Sequence, residues 1–136
     1  MSTTAIALIG MLMWAVVLTF GLIFTRTAAI MKGEKELNAF QPDGRDLSAF
    51  GLRMTRSHGN AVENLALAVG LMLLAIATGH TDITDKLAII VLYARVAQSV
   101  VHIISTSTPM VMCRATLFSV QILIFAYWGW MLCQAH

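Results

Sequence analysis

The segment Arg53-Met-Thr-Arg56-Ser-His58-Gly-Asn60-Ala-Val-Glu63-Asn64 gathers guanidinium, imidazole, carboxylate and carboxamide groups within a few helical turns. Spaced three and four apart, Arg53, Arg56, Asn60, Glu63 and Asn64 fall on one face of a helix. That face runs directly into an apolar stretch. An ionisable side chain there is costly unless it meets a partner helix, a cavity or a ligand. A second polar stripe, Arg95, Gln98, Ser99 and His102, has helical spacing in another apolar run. Glu63 and Arg95 each need a partner, and an ion pair between them is the economical solution. Such a pair would serve structure alone as readily as chemistry. Arg53, Arg56, Arg95 and Arg114, with Arg26 nearby in the same half, exceed what Glu63 can neutralise. A surplus of guanidinium at a partly desolvated site suits a ligand with carboxylates or phosphates, which Arg grips bidentately. The competing reading of Arg53, Arg56 and Arg114 is anchorage at lipid headgroups.

The elements that must position these groups are membrane spans. The chain has 136 residues, of which 58% are hydrophobic and 12% charged, and its mean hydropathy is +0.77. Soluble domains carry about 25% charged residues. Four runs reach the roughly 20 residues that cross a bilayer core: Ala5 to Phe24, Asn60 to Gly79, Leu87 to Ser105, and Ala115 to Leu132. The expectation is an all-α integral membrane protein, one domain over residues 1–136 built as a four-helix bundle. The first run is too long and lacks the basic lead of a signal peptide, so it reads as a retained span. Six of the nine Lys and Arg residues (Arg26, Lys32, Lys35, Arg45, Arg53, Arg56) lie in or beside the first connection. The positive-inside rule places that connection in the cytoplasm and both termini outside. Crossing parity then puts the third connection and Arg114 on the cytoplasmic side as well.

Local signals refine the connections. Gln41-Pro42-Asp43-Gly44 reads as a tight turn with Gly in the left-handed position. Asp46 is a candidate cap for a helix starting near Leu47 that leads Arg53 and Arg56 into the second span. The short link from Gly79 to Asp85 makes the second and third helices antiparallel neighbours. Thr108 followed by Pro109 is a start signal for the fourth. Tyr127, Trp128 and Trp130 suit the outer interface. Gly10, Gly21, Gly70, Ala75 and Gly79 could let helices approach closely. Cys113 and Cys133 form no metal or redox motif. On one helix they would stand about 30 Å apart, too far to bridge, and they read as packing residues. His58 and His102 have no metal spacing, with His80 and His136 towards the other face, so no zinc site is expected. No nucleic-acid partner is expected.

Arg56-x-His58-x-Asn60-x-x-Glu63-Asn64 at the entrance of the second of four spans resembles the signature of the membrane-associated proteins in eicosanoid and glutathione metabolism (MAPEG). Ala94-Arg95-Val96-Ala97-Gln98-Ser99 is similar to that family's third-helix motif, and Arg114-Ala-Thr-Leu-Phe118 to the start of its fourth helix. The resemblance implies a homotrimer with three sites between neighbouring subunits, open to the cytosol and holding glutathione as co-substrate. It implies that Arg53, Arg56, His58, Asn60, Glu63, Arg95 and His102 belong to the glutathione site, with Arg95 bracing Glu63. His102 stands where the enzymes often carry a Tyr. Arg114 would be the catalytic residue that stabilises the thiolate, since a nearby cation lowers a thiol's pKa. Gly59 replaces an Arg of some members, Gln98 a frequent His, and Ala115 and Phe118 a Ser and a Tyr beside the thiolate.

The leading expectation is therefore a membrane glutathione transferase or peroxidase acting on a lipophilic electrophile or hydroperoxide from the bilayer. The alternative is a non-catalytic family member that binds a lipid or a partner, since binding residues are kept better than activating ones. A small drug/proton exporter is a third class, but such proteins rely on a carboxylate in the first span, and Ala5 to Phe24 contains none.

Overall fold

A computed structural model of the chain describes residues 1–135; His136 lies outside the described residues. These form an all-helical bundle of α1 (Thr3–Met31), α2 (Ala49–Ala77), α3 (Thr81–Ile104) and α4 (Thr108–Gln134). Each helix is long and apolar enough to cross a membrane. All four include the apolar runs almost whole and extend beyond them. At 1.5 Å per residue, the 29 residues of α1 and of α2 rise about 43 Å, more than the roughly 30 Å hydrocarbon core. The excess leaves room for polar turns outside the apolar layer, such as those of α2 that carry Arg53 and Arg56.

Helix boundaries follow local chemistry. α2 is capped by Ser48, whose side chain accepts from the Gly51 amide, and not by Asp46. The Asp46 carboxylate folds back to accept from Gln41 N at 3.1 Å and pairs with Lys35 at 3.3 Å. The Gln41–Gly44 turn forms, with Gly44 N donating to Gln41 O at 3.2 Å and Gly44 at φ +75°. α4 begins at Thr108 with Ser107 in the cap position and Pro109 in the first turn, one residue from expectation. Gly79, at φ +75°, ends α2 and turns the chain into α3.

Packing centres on α3, which touches each of the other helices, while α4 lies mainly on α3 and meets α2 more lightly. The main core joins Ala7 and Met11 of α1, Ala68 and Met72 of α2, Ala88 and Val91 of α3, and Phe125 and Trp128 of α4. Alanines at the crossings bring backbones together, which is how spans associate in a medium as apolar as their own side chains. Gly10 and Gly21 make room for side chains of neighbouring helices. A Cβ on Gly10 would stand 2.6 Å from a Leu92 methyl, and one on Gly21 2.9 Å from Met54 Sδ. Gly70 has open space and no such role. Trp128 is fully buried and stacks obliquely on Phe125 at 5.9 Å, so it is a core residue and not an interface anchor. Tyr127 and Trp130 do face outward. Cys113 and Cys133 are free and exposed, so the expectation that they fill the packing is corrected. Phe20, Phe24, Tyr93 and Leu123, each about two-thirds exposed, give the bundle an apolar outer wall.

Candidate functional site

The lighter contact between α2 and α4 leaves a cleft at the end of the bundle where both helices begin and α3 stops. Its larger lobe, about 510 Å³, is lined by Arg56, Gly59, Asn60 and Glu63 of α2, His102 of α3, Thr106 of the link, and Val111 and Arg114 of α4. A second lobe of about 330 Å³ shares Asn60, Glu63, Val111 and Arg114 and adds Asn64, Gln98, Ala115 and Phe118. The spacing of α2 explains its contribution. Positions 56, 59, 60 and 63 lie on one side of the cylinder, and that side is the one α4 leaves uncovered. Arg114 meets them from the second turn of α4, near a helix N-terminus whose dipole favours negative charge.

Three residues expected at the site lie elsewhere within the chain. His58 is about 200° around the helix from Arg56 and faces α1, where its Nε2 stands 3.2 Å from Thr19 Oγ1. The Thr19 hydroxyl already donates to Ala15 O at 2.8 Å, so the imidazole is the donor. Arg53, one turn before Arg56, reaches the end of α3 and donates from Nε to Ile103 O at 2.7 Å. It thereby satisfies one of the carbonyls a helix C-terminus leaves without an intrahelical partner. Arg95 is 2% exposed and lies behind the cleft, with Nη1 3.5 Å from the Asn60 carbonyl oxygen.

The Glu63–Arg95 ion pair is not formed. Among the described residues the ion pairs are Lys35–Asp46 and Arg45–Asp43, both in the first connection. Glu63 is exposed and turned into the cleft, whereas Arg95 points from α3 toward the α2 backbone. Residues on neighbouring helices at similar depth need not face each other, and Glu63 has open space on its own side. Arg95 Nε and Nη2 are buried without partners.

Behind the cleft, Ser57 Oγ donates to Ser99 O at 3.1 Å and Ser99 Oγ to Arg95 O at 3.0 Å. Beside them runs a row of carboxamides: Gln98 bonds Asn60, and Gln121 bonds Gln98. Gln121 was not singled out from the sequence. The signal was there, as a lone carboxamide two helical turns after Arg114 inside an apolar run.

Chemically, the cleft offers two guanidinium groups, one carboxylate, three carboxamides and a buried imidazole, next to apolar Val111, Ala115 and Phe118. Two cations against one anion leave a net positive lining. Such a lining suits an anionic or zwitterionic small molecule with an apolar neighbour. His, Cys, Asp and Glu form no group able to hold a metal ion among the described residues.

Four helices long enough to span a bilayer, a positively lined cleft at one end and an apolar outer wall define a multi-pass membrane protein of the four-helix type. The MAPEG family model matches residues 2–133, and the chain belongs to the MAPEG family, whose members are membrane proteins of eicosanoid and glutathione metabolism. No curated protein and no solved structure matches the chain.

Proposed function

We propose that the cleft binds glutathione and presents its thiolate to a lipophilic electrophile or hydroperoxide that enters from the bilayer. The observation that carries this reading is the convergence of Arg56, Asn60, Glu63, His102 and Arg114, from three helices and far apart in sequence, on one cleft. Glutathione bears two carboxylates, an ammonium group and a thiol. Arg56 suits a carboxylate, Glu63 the ammonium, and Arg114 the thiolate, whose charged form a nearby guanidinium favours at neutral pH. The cleft is open on its outer side, and a neighbouring subunit would close it, in keeping with a homotrimer. The charge of the first connection supports a cytoplasmic mouth. Cysteine labelling of position 44 from the cytoplasm and of position 82 from outside is expected, and the reverse pattern would invert the site.

A second reading has one observation in its favour. Ala115 and Phe118 line the smaller lobe and bring no hydroxyl to a thiolate there, so a binding protein without turnover fits them as well. Purified protein in detergent decides between the two. Glutathione binding is measured by calorimetry, the thiolate by its ultraviolet absorbance, and turnover with an aryl halide and a lipid hydroperoxide. Arg56→Ala should weaken binding by about 1.5–3 kcal/mol, the range for a lost charged hydrogen bond. Arg114→Ala should leave binding nearer normal but lower the thiolate signal and the rate at saturating glutathione. Binding without turnover selects the second reading; no binding at all ends both.

A further inference from the structure

Gln98 and Gln121 are 3% and 0% exposed, in the interior of a membrane bundle where carboxamides are costly unless matched. Their bonds have a fixed direction. A backbone carbonyl only accepts, so the Gln121 atom 2.9 Å from Leu117 O is its nitrogen. The second hydrogen of that nitrogen goes to Gln98 Oε1 at 2.8 Å. Gln98 therefore turns its oxygen toward α4 and its nitrogen toward α2, where Nε2 donates to Asn60 Oδ1 at 2.8 Å. Asn60, with its oxygen taken inward, must present its NH₂ group elsewhere. That group has no protein partner among the described residues, and Asn60 lines both lobes of the cleft. Reversing any one amide would set nitrogen against nitrogen or oxygen against oxygen, leaving buried groups unmet at each junction.

We infer that Gln98 and Gln121 are positioning residues that lock Asn60 as a hydrogen-bond donor to the cleft, so that this point selects an acceptor group of the ligand. The inference rests on the glutathione reading for the identity of the ligand, where the acceptor is a carboxylate, a carbonyl or the sulfur. The ammonium group is excluded from that spot and left to Glu63. A carbonyl on α4 thus sets, through two buried side chains, what a third side chain on α2 can recognise.

The test uses the full chain in detergent with glutathione as the probe. Gln98→Met and Gln121→Met keep side-chain length and remove the relay; each should weaken glutathione binding about tenfold. Gln98→His should keep most of the affinity, because a neutral imidazole accepts at one nitrogen and donates at the other. A packing role predicts the opposite order, with apolar Met benign in this interior and His worse. Methionine variants that bind like the parent, or a His variant as weak as Met, would overturn the inference. Side-chain amide exchange in the ligand-free parent protein tests the relay even if a variant fails to fold or glutathione does not bind. The Gln98 and Gln121 protons should exchange slowly and those of Asn60 quickly. The reverse order refutes the relay, whereas the expected order without glutathione binding refutes only the ligand assignment.

Discussion

In the cluster where α1 and α3 begin, polar groups are matched to one another; in the cleft beside the starts of α2 and α4, the charged groups are not. At the first end Asp85 Oδ1 accepts from both Thr4 N at 2.7 Å and Thr4 Oγ1 at 2.6 Å. Thr4 Oγ1 also meets Thr84 Oγ1 at 2.6 Å, and both threonines are fully buried. Ser2 accepts from Ala5 N. Two amides that the start of α1 would leave without partners are thus satisfied, one by its own cap and one by a neighbouring helix. At the other end Arg56, Glu63 and Arg114 line open space, and Arg114 Nε is buried without a partner. In an apolar medium a matched cluster holds helices together, whereas an unmatched one at an open cleft has bonds left to give a ligand. The same residue types, charged and hydroxylated, do different work at the two ends because only one end is closed.

The strongest way to break this comparison is at the closed end. Asp85→Ala removes the acceptor shared by Thr4 N and Thr4 Oγ1 and should destabilise the protein by about 1 kcal/mol, chiefly through the unmet helix-start amide, since the hydroxyl keeps Thr84 Oγ1. Thermal unfolding in a fixed detergent measures it, and glutathione binding by the folded variant should be unchanged. An unaltered melting temperature would mean that this end is not what ties α1 to α3. Arg114→Ala is the counterpart at the open end. Removing a side chain that makes no hydrogen bond or ion pair among the described residues should shift stability by no more than about 0.5 kcal/mol, while the thiolate signal falls. A large loss of stability would make Arg114 part of the scaffold.

The four spans were legible because hydropathy reports directly on contact with lipid. The helical lead carrying Arg53 and Arg56 into the second span was legible too, and only its cap was assigned to the wrong residue. Asp46 and Ser48 are both good cap residues, and the choice depends on Gln41 and Lys35 across the turn, which no local pattern reveals. The site was legible in part. Helical spacing predicts that Arg56, Asn60 and Glu63 share a face, and they do. It cannot predict which helix that face meets, so the pairing of Glu63 with Arg95 failed. The family motif points to His58 and the helical spacing to Arg53, although the helix turns one toward α1 and the other toward the end of α3. Gln121 was passed over because a single polar residue in a span has no pattern until its neighbours across the bundle are known.

The smallest effect expected lies in the first connection, on the open end's side of the bundle, where charges are matched. The amide of Gln41 holds the Asp46 carboxyl below its ordinary value of 3.8, with help from Lys35. A carboxyl whose folded value is lowered contributes stability above its unfolded value and loses it as the pH falls through the folded one. The turn over Gln41–Asp46 should therefore loosen only below about pH 4, while the cleft-lining helices stay folded. Limited proteolysis with an acid-active protease reads this as faster cleavage within residues 32–48 as the pH drops. Asp46→Asn keeps an acceptor but no charge for Lys35. Its cleavage should be faster than the parent's at pH 5 and change little on further acidification. If parent and variant share one pH profile, Asp46 does not hold the turn, and the matched charges of this connection are no more structural than the unmatched ones of the cleft.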